Sequence, residues 1–223
     1  DFKYDYGRNM TPSVEIFTQS IAALEEGYDS VIAPCGLSII TAALMGFLKS
    51  GEHALIVDRT YYPVRRFCTN ILEQMGVEIT YYDPHIGAGI AELIQDNTKV
   101  IYMESPGSGT FDVQDVPAIV KAAKGKDIIT MLDNTWASGV LYKPLTQGVD
   151  LSLISCTKYI NGHADGMLGV GVARTEELYK KLKQTTKNIG LCAGSEEVAL
   201  GIRGLKTLHL RMKEAGERGL AMA

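Results

Sequence analysis

A lysine and an aspartate stand where two apolar runs of this chain end. Lys158 closes Leu151-Ser-Leu-Ile-Ser-Cys-Thr-Lys158, and Asp133 closes Ile128-Ile-Thr-Met-Leu-Asp133 further upstream. A buried-looking lysine amine at a strand end can condense with an aldehyde cofactor. A carboxylate at a neighbouring strand end can hold a protonated ring nitrogen, as in pyridoxal phosphate (PLP) chemistry. Each residue also has an ordinary reading. Asp133 precedes Asn134 and Thr135 and would serve as a helix N-cap or turn aspartate. Lys158 would snorkel to solvent or pair with an acid.

Other residues near these runs suit an anion or a planar ring. Ser155 and Thr157 are two apart, which predicts one strand face carrying two hydroxyls beside the Lys158 amine, a rim suited to phosphate. Gly36-Leu37-Ser38 follows an apolar run ending near Pro34 and opens a helical pattern. Glycine there lets the backbone approach an anion, and the first helical N–H groups point at it. Neither a Gly-Lys-Ser/Thr phosphate loop nor a GxGxxG fingerprint is present. Tyr61 and Tyr62 follow the run ending at Asp58, where a phenol ring could stack on a heterocycle or simply be half-buried. Tyr6-Gly7-Arg8 offers a phenol and a guanidinium suited to phosphate, on an arm that would reach a neighbouring subunit. His53, His85, His163 and His209 show no ligand spacing, and no metal site is expected.

The elements that must position these groups follow from periodicity. Strands are predicted at 30–33, 54–58, 77–82, 100–103, 128–133, 151–155 and 168–173. Helices are predicted at 38–48, 64–75, 90–95, 116–123, 176–187 and 196–213, with Ile39, Ala42, Ala43 and Gly46 as one buried stripe. Buried strands alternating with helices predict an α/β fold with a mostly parallel seven-stranded sheet. Ligands in such sheets sit outside the strand carboxyl ends, where Gly36, Glu104, Asp133 and Lys158 all fall.

The composition fits one well-buried globular core: 223 residues, 46% hydrophobic and 22% charged. A net charge of −4 argues against nucleic acid or an anionic membrane as partner. Cys35, Cys68, Cys156 and Cys192 are scattered, without CxxC, which suits reduced thiols in a cytoplasmic protein. No signal peptide or apolar run of membrane-spanning length is apparent, so a soluble enzyme is expected.

Set in order, Tyr6-Gly-Arg8, Gly36-Leu-Ser38, Thr60-Tyr61-Tyr-Pro63, Glu104-Ser-Pro106, Leu132-Asp133-Asn-Thr-Trp136 and Ser155-Cys-Thr-Lys158-Tyr-Ile-Asn-Gly-His163-Ala-Asp165 cover nearly the whole chain. Together they resemble the PLP-dependent enzymes of cysteine and methionine metabolism, the cystathionine lyase and synthase family of fold type I. The resemblance implies Lys158 as the Schiff-base lysine, Asp133 as partner of the ring nitrogen and Tyr61 stacked on the ring, all three catalytic. It implies Gly36, Leu37, Ser155 and Thr157 around the phosphate, joined by Tyr6 and Arg8 of an adjacent subunit in a homotetramer built as a dimer of dimers.

Most members carry Glu-Ser-Pro-Thr-Asn-Pro where this chain has Glu104-Ser-Pro-Gly107-Ser108-Gly109. That variant resembles the bacterial β-lyases of the family. It implies β-elimination of L-cystathionine to homocysteine, pyruvate and ammonia in methionine biosynthesis. γ-Lyase and γ-synthase chemistries, or a non-catalytic cofactor-binding protein, are the alternatives. Whether Ser108 takes the family asparagine's place against the cofactor stays open at this point. The domain reading is an arm over 1–10, a PLP-binding large domain over 11–205, and at 206–223 the start of a linker helix. That helix would lead to the family's smaller carboxy-terminal domain and its substrate-carboxylate arginine, which this chain would lack.

Overall fold

The computed structural model describes residue 4 and residues 6–223; Asp1, Phe2, Lys3 and Asp5 of the expected arm lie outside the described residues. Seven strands form one sheet: β1 (Asp29–Ala33), β2 (His53–Val57), β3 (Glu78–Tyr82), β4 (Thr98–Glu104), β5 (Ile129–Asp133), β6 (Leu151–Ser155) and β7 (Gly169–Ala173). Their order is β1-β7-β6-β5-β4-β2-β3, with β7 antiparallel to both its neighbours and every other pairing parallel. The expected mostly parallel α/β sheet is the one observed.

Among the described residues seven α-helices accompany the sheet: α1 (Pro12–Glu25), α2 (Gly36–Phe47), α3 (Tyr62–Phe67), α4 (Val116–Ala123), α5 (Glu176–Asn188), α6 (Ser195–Leu205) and α7 (Leu208–Met222). Side chains alternate across the pleat, so each strand feeds two cores. Ala54, Ile56, Val100, Tyr102, Met131, Leu151 and Leu153 pack with α2 and the α5 residue Leu182. On the other face Leu55, Val57, Ile101, Met103 and Leu132 pack with α4, while Ile154, Val170 and Val172 pack with α1, α6 and α7. The central strands are therefore buried on both sides, which explains their continuous apolar runs.

Several expected elements take a different form. The apolar pattern marks no element over 12–25, yet these residues form α1. Its start is written in Thr11, whose Oγ1 accepts from Val14 N at 3.2 Å, and in Pro12 in the first turn. The apolar signal is diluted because the buried face includes Thr18 and Glu25 beside Phe17, Ile21 and Ala22. The helix expected over 64–75 begins at Tyr62 as α3 and widens into a π-helical turn at Cys68–Leu72. The one expected over 90–95 is 3-10 helix at Gly87–Leu93. The long helix expected over 196–213 is two, separated at Lys206 and Thr207, with Leu208 and Met212 of α7 buried in the core beside α1. Among the described residues no helix is long and apolar enough to cross a membrane.

Candidate active site

Parallel strands place their carboxyl ends on one edge, and three polar side chains meet there. Glu104 ends β4, Asp133 ends β5 in register with it, and Ser155 ends β6. Each is an even number of residues from the core side chains Tyr102, Met131 and Leu153. The pleat therefore puts all three on the face covered by α2.

Asp133 is 8% exposed, and burial pushes its pKa up. Thr135 opposes that shift: its N–H donates to Asp133 Oδ1 at 2.9 Å, and its hydroxyl favours the ionised acid as well. The Tyr102 hydroxyl also favours ionisation, yet it is fully buried and has no hydrogen bond of good geometry. Glu104 is buried beside Asp133; desolvation first and the Asp133 charge second push its pKa up to about 7. Neither acid is ion-paired among the described residues. An ionised carboxylate in such a place is costly unless a cation joins it.

The same network runs on to the start of α2. Thr135 Oγ1 accepts from Ser155 N at 2.8 Å. Ser155 in turn lies against Gly36, at the first turn of α2: a β-carbon on Gly36 would stand 2.5 Å from Ser155 Cβ and 2.8 Å from its Oγ. Only glycine permits that approach. The N–H groups of Gly36 and Leu37 have no protein acceptor among the described residues, as expected of a helix start facing an anion. Ser38 faces backward instead, donating to Cys35 O at 2.8 Å.

Lys158 and Thr157 differ from expectation. The strand stops at Ser155, so both lie in the following turn, and Thr157 does not share a strand face with Ser155. The Thr157 hydroxyl accepts from Leu168 N at 3.2 Å. Lys158 is exposed, not buried, and its amine makes no hydrogen bond or ion pair among the described residues. A turn just past a strand end gives a long side chain an outlet to solvent, which the apolar run alone did not reveal. Lys158 and Thr157 line an open cleft of about 810 Å³ with Pro34, Asp165, Met167 and Glu197.

Tyr61 is 47% exposed and opens α3 just past β2; its backbone N–H donates to Glu104 Oε2 at 2.7 Å. Tyr6 and Arg8 are not brought to these groups within the chain. The Arg8 guanidinium lies over the Tyr6 ring and donates to Lys187 O of α5 at 3.1 Å.

Four supporting residues escaped the sequence reading. Thr135 joins Asp133 to Ser155. Tyr102 lies beneath Asp133. Arg211 of α7 donates to Tyr159 O, Ile160 O and Gly204 O, tying the Lys158 turn to α6. Glu25 at the end of α1 accepts from Asn134 Nδ2 at 2.9 Å, directly beside Asp133. Only Thr135, inside the Asp-Asn-Thr-Trp run, carried a signal near the site. The residues present fit PLP: a buried carboxylate with no cation, an anion-ready helix start against Ser155, and an unpaired lysine on an adjoining cleft. Among the described residues no cluster of His, Cys, Asp and Glu could hold a metal.

The whole chain, residues 1–223, matches the family of Cys/Met metabolism PLP-dependent enzymes. It is 38% identical over 220 residues to cystathionine beta-lyase MetC of Escherichia coli, covering 98% of this chain and 55% of that protein. It is 41% identical over 220 residues to an L-alanine/L-glutamate racemase of Wolbachia pipientis, covering 99% of this chain and 54% of the relative. The crystal structure of cystathionine gamma-lyase from Lactobacillus plantarum, complexed with L-serine, superimposes with a TM-score of 0.91 at 31% identity. That superposition covers 94% of this chain and 55% of the other. The chain spans about half the length of the relatives it matches.

Proposed function

The chain belongs to the Cys/Met metabolism PLP-dependent enzyme family, and from that premise we propose that the protein containing it is a carbon–sulfur lyase. Its reaction would be β-elimination of L-cystathionine to homocysteine, pyruvate and ammonia. The observation that carries the cofactor part is Asp133, a buried carboxylate with no cation beside it among the described residues. The β-lyase part rests on the Glu104-Ser-Pro-Gly107-Ser108-Gly109 run and on relatives such as the Escherichia coli cystathionine beta-lyase.

In this reading Asp133 holds the cofactor's ring nitrogen, Lys158 its aldehyde carbon, and Tyr61 covers its ring. Gly36, Leu37, Ser155 and Thr157 hold its phosphate, with Tyr6 and Arg8 contributed by a second copy of the chain. Bound there, PLP supplies an electron sink for the pair left behind when the substrate's α-carbon loses a proton. Once the substrate's amine has displaced it from the aldehyde carbon, Lys158 Nζ, without an ion pair among the described residues, would take the α-proton. The same amine then returns a proton to the sulfur as its bond to the β-carbon breaks, so no external acid is consumed. Asp133 keeps its negative charge opposite the ring nitrogen throughout, with Thr135 fixing its orientation.

The reading is tested with the full-length protein supplied with PLP and L-cystathionine. Pyruvate should dominate the keto acids released; a dominant α-ketobutyrate signal would overturn the β-lyase assignment and favour the γ-lyase chemistry named for the Lactobacillus plantarum structure. The 41% identity to a racemase supports one second reading. α-Proton exchange on L-alanine or L-glutamate without keto-acid release would establish it.

A further inference from the structure

We propose that Glu104, Gly107 and Ser108 form a clamp that positions Tyr61, so that Ser108 serves Glu104 and is not a ligand of the cofactor. The inference rests on the reading that Tyr61 covers the cofactor ring.

The tyrosine ring cannot hold itself in place. It is half exposed, and its hydroxyl makes no hydrogen bond among the described residues. Its position is therefore set through its backbone, and Glu104 holds that backbone. Glu104 Oε2 accepts from Tyr61 N at 2.7 Å and from Thr60 Oγ1 at 3.2 Å. Its other oxygen, Oε1, accepts from the Ser108 hydroxyl. One buried carboxylate thus receives donors from two loops. Buried hydrogen bonds of this kind hold the two loops firmly because water is kept from competing for them.

The two loops also grip one another. Ser108 N donates to Arg59 O at 3.1 Å, two residues before Tyr61. That approach depends on Gly107: a β-carbon there would stand 3.2 Å from both Arg59 Cβ and Arg59 O. Gly107 N in turn donates to Asp112 O at 2.9 Å, and Phe111 N to Gly107 O at 3.0 Å, which closes the loop on itself. The Gly-Ser-Gly variant then has a physical purpose. Glycine brings the loop against residue 59, and serine delivers a hydroxyl to Glu104. With its one proton donated there, Ser108 has none left for a cofactor oxygen.

The experiment uses the full-length, PLP-loaded protein. It reads amide hydrogen exchange in the peptide spanning residues 59–62 and, separately, the dissociation constant of PLP. Glu104→Ala should speed exchange of the Tyr61 amide and weaken PLP binding, each by about tenfold, the scale of one lost buried hydrogen bond. Glu104→Gln, which keeps an acceptor oxygen, should restore most of the Tyr61 protection. Ser108→Ala should loosen the 59–62 peptide and PLP together, and Gly107→Thr should do the same. Unchanged Tyr61 exchange in Glu104→Ala would overturn the clamp. Weaker PLP binding in Ser108→Ala with exchange unaltered would overturn it too, by making Ser108 a direct ligand. Tyr61→Ala separates the premise: unchanged PLP affinity in that variant refutes the stacking role, while the exchange data judge the clamp alone.

Discussion

Gly36, which opens α2, and Ser155, which closes β6, touch so closely that one methyl group would not fit between them. Gly36→Ala should push the start of α2 away from β6. We expect a stability loss of about 1–3 kcal/mol from overpacking, and a larger proportional loss in PLP affinity because the N–H groups of Gly36 and Leu37 move with it. Denaturant titration with and without PLP checks both. A variant as stable and as tight-binding as wild type would remove this corner from the phosphate site.

Asp133 and Glu104 lie side by side in register, and burial raises the pKa of each. A carboxylate with a raised folded-state pKa costs stability as pH rises from its unfolded-state pKa to the folded one, because over that range the unfolded chain gives up the proton and the folded state keeps it. Asp133→Asn should therefore stabilise the cofactor-free protein at pH 8 while lowering turnover on the order of a hundredfold. Melting curves and steady-state rates measure the two effects. Near-normal turnover in this variant would eliminate the electron-sink argument.

Glu25 gives a sharper pH signature. It is fully buried, with Oε1 bonded to Asn134 and Oε2 without a partner, and desolvation raises its pKa to about 7 against an ordinary 4.5. The folded state binds its proton more tightly than the unfolded chain. Its contribution is therefore complete below about pH 4.5 and lost as pH rises through about 7. Wild type should lose up to roughly 3 kcal/mol relative to Glu25→Gln across that window, at about 1.4 kcal/mol per tenfold change in proton affinity. A stability difference independent of pH between 4 and 8 would contradict a buried, protonated Glu25.

Arg211 spans three carbonyls with a planar fork, at 2.5 Å to Tyr159 O, 2.7 Å to Gly204 O and 3.2 Å to Ile160 O. Arg211→Ala should cost about 1–3 kcal/mol and accelerate backbone exchange in residues 158–162. Arg211→Lys should rescue little, because a single ammonium cannot reach all three oxygens. Exchange in that turn equal to wild type in both variants would show that the Lys158 turn is held by other contacts.

The sequence made the sheet legible because several strands are short apolar runs closed by a polar residue, among them β2 before Asp58, β4 at Glu104, β5 at Asp133 and β6 at Ser155. That signal bounds β6 at Leu151 and Ser155, as observed. Asp133 and Gly36 were legible for the same reason, lying at the junction of an apolar run and a turn. Periodicity does not show α1, whose buried face carries Thr18 and Glu25, and Lys158 lies outside the strand because the chain past Ser155 turns away instead of continuing the strand face to Thr157. The Glu104–Tyr61 and Arg211–Tyr159 contacts join residues 43 and 52 positions apart. Contacts of that separation arise from the fold and leave no local pattern.

The central claim is that the Lys158 amine carries the cofactor. Borohydride reduction of the PLP-loaded full-length protein, followed by peptide mass mapping, tests it most directly. The reduced pyridoxyl mass should fall on Lys158 and vanish in Lys158→Ala. A label on another lysine, or none in protein supplied with PLP, would show that Lys158 does not hold the cofactor.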